Sequence, residues 1–169
     1  MEKPLYLLVV IPAYNEEKTI GQVIKDIPRP ITGIDKVEVL VLDDGSTDKT
    51  VAKAKEAGAD YIVSNQRNQG LGYSFRRATE EALKIGVDIV VNIDADGQFD
   101  PQDIPRLIQP IINQEADFVT ASRFIDKENI PLMPKAKLWG NKKVAKLISW
   151  MTGKNFYDVS CGFRAYSKE

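Results

Sequence analysis

The stretch Leu7-Leu8-Val9-Val10-Ile11-Pro12 consists of five consecutive apolar residues followed by a proline. A strand that is apolar along its whole length is typical of a parallel sheet that is covered on both faces. The next segment, Ala13–Glu16, places polar side chains at the end of that strand. The stretch therefore predicts a central parallel strand whose carboxyl end meets a polar edge.

Apolar runs alternate with helical periodicities along the rest of the chain. After the first run, for example, Ile20, Val23, Ile24 and Ile27 recur at helical spacing. This alternation predicts an α/β fold, a three-layer sandwich with a mostly parallel central sheet, formed by residues 1–169 as a single domain. The predicted strands are Leu7–Ile11, Val37–Leu42, Tyr61–Val63, Ile89–Ile93, Phe118–Ala121 and Phe163–Tyr166.

The predicted helices carry their own start and stop signals. Ser46 or Thr47 is expected to cap the second helix and Gly58 to end it, because hydroxyls favour N-caps and glycine favours the position after a helix. Asp100 is expected to cap the fourth helix, and residues 124–135 are expected to form a loop. The predicted buried stripes of the third, fourth and last helices are Leu71, Phe75, Ala78 and Ala82; Ile104, Leu107, Ile108 and Ile111; and Leu138, Val144, Leu147, Ile148 and Met151.

The composition argues against several kinds of site. The 169 residues include 23 basic and 24 acidic ones, so no attraction to nucleic acid is expected. The absence of histidine excludes His–His metal sites and Ser-His-Asp triads. The single cysteine, Cys161, favours a reducing compartment, and we expect a cytoplasmic protein. The apolar run Leu5–Ile11 is shorter than the ~20 residues of a membrane span.

Polar residues follow three of the predicted parallel strands, and such strand ends meet at one edge of a sheet. After the fourth strand, Asp94 and Asp96 are two residues apart, so both carboxylates can face one side of an extended segment, and Gln98 adds an amide oxygen. Oxygen ligands of this kind suit a hard divalent cation. The same string is also typical of a plain turn, because Asp and Gly favour turns.

Other residues at this edge suit a nucleotide. Asp44, after the second strand, can accept hydrogen bonds from a ribose or a base, and Tyr14, after the first strand, can stack on a base. Gly70 precedes a predicted helix start, which attracts phosphate, and Arg123 offers a planar fork to a diphosphate. Each residue also has a structural reading, as a turn, a cap or a solvated charge.

Two features towards the end of the chain stay open at this point. Asp158 can act as a general base if it lies in the cleft. A run of lysines either forms a solvated helix face or gives a basic ledge near an anionic acceptor or a membrane surface. These lysines are Lys135, Lys137, Lys142, Lys143 and Lys146.

Taken in order, these segments resemble the family 2 glycosyltransferases with the Rossmann-like GT-A fold. Within that family the polyprenyl-phosphate sugar transferases, such as the dolichol-phosphate mannose synthases, are the most similar subgroup. The resemblance covers nearly the whole chain. It rests on Ile11–Glu16, Leu42–Asp48, Asn68–Gly72, Asp94–Gln98, Ser122-Arg123 and Asp158–Arg164.

The resemblance implies a role for each matching residue. Asp94, Asp96 and Gln98 would hold Mg²⁺ or Mn²⁺ on the donor diphosphate, which makes Asp96 catalytic. Arg123 would lie near the phosphates, and Asp158 matches an acidic position that serves as base in some relatives. The residues implied to bind the nucleotide sugar are Pro12, Tyr14, Glu16, Leu42, Asp44, Gly70, Asp94 and Arg123.

The resemblance also implies a reaction. An inverting transferase would move a sugar from a UDP- or GDP-linked donor to a polyprenyl phosphate such as dolichyl or undecaprenyl phosphate, at the cytoplasmic face of a membrane. The alternatives are transfer to a sugar hydroxyl of a glycan, donor binding without transfer, and sugar nucleotidyl transfer. Two departures from the family pattern stand out: Phe99 replaces a common histidine, and we expect the chain to be truncated at its C-terminal end.

Overall fold

The computed structural model describes residues 4–124 and 135–168, with the side chains of residues 135–137 left out of that description. Most of the loop predicted at 124–135 therefore lies outside the described residues. The chain forms two compact units, one of Met1–Val119 with Phe163–Glu169 and one of Thr120–Gly162. The expectation of a single domain stays a prediction.

Six strands form one central sheet, and this confirms the predicted fold class. The strand order is β3-β2-β1-β4-β6-β5. β1 pairs in parallel with β2 and with β4, β2 pairs in parallel with β3, and β6 is antiparallel to β4. The strands are β1 (Tyr6–Ala13), β2 (Lys36–Asp43), β3 (Tyr61–Ser64), β4 (Ile89–Asn92), β5 (Phe118–Thr120) and β6 (Arg164–Ser167).

Alternate strand residues point to opposite faces of the sheet, and the apolar strands therefore present buried side chains to both faces. Helices pack against these side chains. On one face, Leu8 and Leu40 pack in a core cluster with Ala78 and Ala82 of the third helix. The fourth helix buries the predicted stripe that begins at Ile104, and the Asp100 side chain caps the short 3₁₀ turn just before it. The helices are α1 (Ile20–Asp26), α2 (Thr50–Glu56), α3 (Leu71–Ile85), α4 (Ile104–Ile112) and α5 (Lys135–Thr152).

The buried face of α3 differs from the predicted one. Leu71 is 68% exposed and Phe75 is 42% exposed, whereas Ser74 is buried together with Ala78 and Ala82. These three small residues recur every four positions and form a narrow row, which lets the helix backbone approach the sheet closely. The prediction is confirmed for Ala78 and Ala82 and wrong for Leu71 and Phe75, because it gave weight to large apolar side chains while close packing selected the small residues.

The buried face of α5 also differs from the predicted one. Val144, Leu147 and Met151 are 46%, 54% and 70% exposed, while Asn141 and Ala145 are buried. The reason is a backbone segment, residues 156–159, which follows α5 and packs on its small and polar side. The Asn141 side chain accepts a hydrogen bond from the Val159 N–H at 3.1 Å, and the Ser149 hydroxyl accepts one from the Phe156 N–H at 2.8 Å.

No helix within residues 4–124 or 135–168 combines the length and the apolar character needed to cross a bilayer.

The loops after β1 and β2 are joined by reciprocal hydrogen bonds. The Asn15 N–H donates to the Ser46 hydroxyl at 2.9 Å, and the Asn15 side chain accepts from the Thr47 N–H at 2.8 Å. Ser46 and Thr47 therefore form hydrogen bonds between loops, and α2 begins only at Thr50, whose N–H donates to the Asp48 carboxylate at 2.9 Å. The predicted cap is wrong, because these side chains have partners on the neighbouring loop, whereas the predicted end at Gly58 is confirmed by its positive φ of 92°.

Gly45 is the point of closest approach in these loops. Its φ is +79°, and a Cβ atom placed there would lie 2.6 Å from the Arg67 carbonyl carbon and 2.9 Å from the Asn68 backbone nitrogen. Residue 45 therefore has to be glycine both for its conformation and for the space above it. The loop between β3 and α3 rests directly on the backbone of the turn after β2.

We predict that Gly45→Ala destabilises the protein far more than Gly58→Ala does. Gly58 also has a positive φ, +92°, but no atom of residues 4–124 and 135–168 lies within 4 Å of a Cβ placed there. Gly58→Ala should lower the free energy of unfolding by the conformational term alone, about 1–2 kcal/mol. Gly45→Ala should at least double that loss, because backbone atoms must also move. Urea unfolding of both variants measures the difference, and equal losses would contradict the close approach.

Candidate active site

The candidate site lies at the carboxyl edge of the four parallel strands. β1 is the strand from which the order runs both ways, to β2 on one side and to β4 on the other. In open α/β sheets, ligands bind beyond the carboxyl ends of the strands at such a switch point. The polar segments after β1, β2 and β4 all start at this edge.

A cavity of about 190 Å³ lies beside the ends of β1 and β2. Four residues predicted to hold the nucleotide come together there: Pro12, Tyr14, Asp44 and Gly70. A larger cavity of about 490 Å³ includes Leu5, Ile89 and the Asp88–Lys168 ion pair at the opposite edge, where parallel strands begin. The smaller cavity is the better candidate, because the switch-point rule applies to its edge of the sheet. Its lining is completed by Ala13, Asn68, Leu71 and Ser74.

Asp44 is a buried carboxylate that organises one wall of this cavity. One oxygen accepts hydrogen bonds from the Asn65 amide at 2.7 Å and the Gln69 N–H at 2.9 Å, and the other accepts from the Gly70 N–H at 2.8 Å. Burial alone would raise the pKa of Asp44, but the hydrogen bonds from Asn65, Gln69 and Gly70 outweigh it and hold the pKa below its usual range. Asp44 is therefore charged at neutral pH.

Ser74 is a site residue that the sequence analysis missed. Its hydroxyl is buried and lines the cavity beside Asp44. In the part of the chain described, this hydroxyl is the one buried side-chain polar group that has no hydrogen-bond partner. The sequence did contain a signal for its burial, because Ser74 lies four residues before Ala78 in the row of small residues on α3.

Two further predicted residues take places that limit what they can contact. Leu42 is fully buried in the core cluster between β2 and α3, so only its backbone can meet a ligand. Glu16 is half-buried, and its carboxylate accepts a hydrogen bond from the Thr19 hydroxyl at 3.0 Å. Its backbone N–H donates to the Thr50 hydroxyl at 2.7 Å, which joins the start of α1 to the start of α2. The nucleotide roles of Leu42 and Glu16 stay predictions.

The acidic turn comes directly after β4. Asp94 is half-buried, and Asp96 and Gln98 are exposed. Gly97 has a φ of +73°, and the Asp96 carboxylate accepts a hydrogen bond from the Gln98 N–H at 3.0 Å, so the segment is a tight turn. No cluster of three or more His, Cys, Asp or Glu that could hold a metal occurs in residues 4–124 and 135–168. The turn therefore offers two carboxylates and an amide oxygen, a partial set that fits a cation also bound by ligand oxygens.

Arg123 and Asp158 bind each other within the second unit. The Arg123 Nε and Nη2 atoms donate to the two Asp158 oxygens at 2.7 and 3.0 Å, and the Ser160 N–H donates to Asp158 at 3.0 Å. Burial would raise the pKa of Asp158, but the hydrogen bonds from Arg123 and Ser160 hold it below its usual range. A carboxylate held in this way orients the arginine and is a weak base. The predicted roles of Arg123 on phosphate and of Asp158 as base stay predictions.

Comparison with known proteins agrees with this geometry. The family model described as glycosyl transferase family 2 matches residues 8–169. The chain is 32% identical to the UDP-N-acetylglucosamine–dolichyl-phosphate N-acetylglucosaminyltransferase of Methanococcus voltae, over 99% of this chain and 70% of that protein. It is 29% identical to the polyprenol monophosphomannose synthase of Mycolicibacterium smegmatis, over 96% of this chain and 62% of that protein.

A solved structure supports the same relationship. Glucosyl-3-phosphoglycerate synthase from Mycobacterium tuberculosis in complex with UDP superimposes with a TM-score of 0.72 at 28% identity, over 96% of this chain and 57% of that one. The same enzyme has also been solved with Mn²⁺, UDP and glucosyl-3-phosphoglycerate. The chain thus spans between 57% and 70% of the length of these proteins. The acidic turn, the switch-point cavity and these matches lead to one conclusion: the chain belongs to glycosyl transferase family 2.

Proposed function

We propose that this chain carries the donor site of a glycosyltransferase that moves a sugar from a nucleoside diphosphate sugar to a polyprenyl phosphate. The observation that carries the proposal is the common edge of the switch-point cavity and the acidic turn, which suits a nucleoside next to a diphosphate. The names of the relatives from Methanococcus voltae and Mycolicibacterium smegmatis, which include dolichyl phosphate and polyprenol, support the lipid acceptor.

Within the proposed donor site, each part of the cavity has one task. Tyr14 is 46% exposed at the mouth and is placed to stack on a base. Asp44 and Ser74 line the wall and can hydrogen-bond to the base or the ribose. The donor is UDP- or GDP-linked, and UDP in the glucosyl-3-phosphoglycerate synthase structures favours the first.

Asp94, Asp96 and Gln98 would hold Mg²⁺ or Mn²⁺ together with the donor diphosphate, and the Mn²⁺ in a solved relative supports a divalent ion. Such an ion offsets the negative charge that develops on the leaving diphosphate. The chain's own contribution is to hold the donor rigidly, so that attack on the anomeric carbon becomes effectively unimolecular. An attack opposite the leaving group inverts the configuration of that carbon.

A polyprenyl phosphate acceptor is already ionised and needs no strong base. This agrees with an Asp158 that is paired with Arg123, because such a carboxylate gives up its hydrogen bonds only at a cost. We propose that Asp158 is a positioning residue for Arg123, and that Arg123 lies near the donor phosphates. An acceptor with a sugar hydroxyl would instead need Asp158 as a general base.

Two other readings are less well supported. A nucleotidyltransferase usually carries a glycine-rich loop with basic residues directly after the first strand, and here that place holds Pro12–Glu17. A donor-binding fragment without transfer activity would keep the cavity and the acidic turn but transfer no sugar.

We also propose a cytoplasmic location at a membrane surface, consistent with the single cysteine and with a lipid acceptor.

We predict that Asp96→Ala abolishes the metal-dependent part of donor binding. Titration calorimetry with UDP-glucose and GDP-mannose, each with and without Mn²⁺, should show tighter binding of one donor with the metal. In Asp96→Ala that gain should disappear, because one of two carboxylates in the acidic turn is lost. The weaker metal-independent binding should remain.

Asp103→Ala is the matched control for this experiment. Asp103 is an exposed carboxylate at the start of α4, outside the acidic turn. The Asp103→Ala variant should bind donor and metal as the unchanged protein does. Metal-dependent binding that survives Asp96→Ala would overturn the metal assignment, and no donor binding in any condition would overturn the proposed function.

We predict that Asp158→Asn lowers the free energy of unfolding by about 3 kcal/mol at pH 7, since it removes the charge from a buried ion pair. The pKa of Asp158 is lowered in the folded protein, so its stabilising effect is complete above the ordinary pKa of an aspartate and is lost as the pH falls through the folded-state pKa. The difference between the two proteins should therefore shrink below pH 4. Urea unfolding at pH 7, 5 and 3 measures it.

The control for this pair is Glu80→Gln. Glu80 and Arg76 form an exposed pair on α3, with side chains 49% and 79% exposed. Surface pairs of this kind contribute little, so the variant should unfold as the unchanged protein does at every pH. An Asp158→Asn effect as small as that of Glu80→Gln would show that the buried pair does not hold the second unit together.

A further inference from the structure

We propose that the exposed side of α5 binds the surface of an anionic lipid bilayer. This side, termed the tryptophan–lysine face, consists of Trp139, Trp150, Val144, Leu147 and Met151 with Lys142, Lys143 and Lys146. It belongs to the second unit and shares no residue with the donor cavity. The proposal does not depend on the glycosyltransferase function.

The exposure of large apolar side chains is the first observation. Trp139 is 63% exposed and Trp150 is 80% exposed, and they are the only two tryptophans of the chain. Leu147 and Met151 on the same helix are 54% and 70% exposed. Single exposed apolar residues are normal, but a contiguous apolar patch on one helix indicates an interaction surface.

The arrangement around the helix is the second observation. At roughly 100° per residue, Lys142 and Lys146 lie along one edge of the exposed arc, and Val144 and Met151 lie along the other. Trp139 and Trp150 are three turns apart and lie between these edges. Apart from Lys143, which lies between Trp150 and Leu147, the face changes from charged to aromatic to aliphatic across its width.

This order matches the layers of a bilayer surface. Aliphatic side chains enter the acyl region, tryptophans sit at the headgroup level, and lysines extend to the phosphates. The Lys143 ammonium lies 4.4 Å from the centre of the Trp139 ring, a cation–π contact that holds one lysine of the face against its aromatic surface. A helix whose exposed side faces only water gains no stability from this order of side chains.

Charge is the third observation, and it selects an anionic lipid surface as the partner. α5 contains no aspartate or glutamate between Lys135 and Thr152, although the whole chain has a net charge of −1. The positive charge is therefore concentrated locally. A second copy of the same face would bring like charges together, and a neutral bilayer would leave the lysines without partners.

The two tryptophans make the proposal directly measurable. Vesicles of phosphatidylcholine and phosphatidylglycerol at 3:1 should shift the tryptophan emission of this chain to the blue and protect it from iodide quenching, because the rings leave water. Vesicles of phosphatidylcholine alone should bind at least tenfold more weakly. Raising the salt from 0.1 to 0.5 M should weaken binding to the anionic vesicles.

Matched variants separate the face from general charge. Lys142→Gln with Lys146→Gln should weaken vesicle binding about 25-fold, at about fivefold for each lysine near the surface. Lys25→Gln with Lys55→Gln removes two exposed lysines from α1 and α2 and should change binding less than twofold. Trp139→Phe and Trp150→Phe leave one reporter each, and both should show the shift.

Three results would overturn the proposal. They are an unchanged emission with anionic vesicles, equal binding to both vesicle types, and an equal effect of the two lysine pairs. A blue shift that appears without lipid as protein concentration rises would assign the face to a second copy instead. Vesicle binding is measured without nucleotide and donor binding without vesicles, so either proposal can fail alone.

Discussion

The Asp44 carboxylate is the interaction on which the candidate site depends. It is buried at the end of β2 and accepts hydrogen bonds from Asn65, Gln69 and Gly70. These bonds add to the backbone hydrogen bond from the Asn65 N–H to the Asp43 carbonyl, at 2.8 Å, in tying the polar loop between β3 and α3 to the sheet. Asn65 extends the network, since its side-chain oxygen accepts from Arg77 on α3. One charged group therefore positions a loop, a helix start and a cavity wall.

The hydrogen bonds of Asp44 stabilise the folded chain and also fix the shape of the candidate site. A buried charge is stable only while its partners stay in place. A nucleotide that contacts Asp44 would add a partner to a group that is already well hydrogen-bonded, so the cavity needs little rearrangement. Gly45 contributes to the same rigidity, because the loop backbone lies against it without an intervening side chain.

Much of the fold followed from the sequence because strand burial has a simple signature. The apolar runs predicted all six strands to within about two residues, and the polar residues after them predicted the edge where Pro12, Tyr14, Asp44 and Gly70 meet. Helical periodicity predicted the wrong buried face in helices whose buried residues are small and whose large apolar residues are exposed. On α3 it chose Leu71 over Ser74, and on α5 it turned Leu147 inward, although small residues make the contacts in both helices. The pairing of Arg123 with Asp158 could not be predicted from the sequence, because 35 residues separate them and no sequence spacing relates the two positions.

The distribution of aromatic residues has a consequence for any study of how the chain unfolds. Both tryptophans lie in the unit Thr120–Gly162, whereas five of the six tyrosines lie in the unit that contains β1 to β4. Tryptophan circular dichroism in the near ultraviolet therefore comes from the smaller unit, and tyrosine signals come chiefly from the unit that holds the sheet. If the two units lose their structure at different denaturant concentrations, the two probes will give different midpoints. The chain thus carries its own pair of spectroscopic labels for testing whether its two parts melt as one.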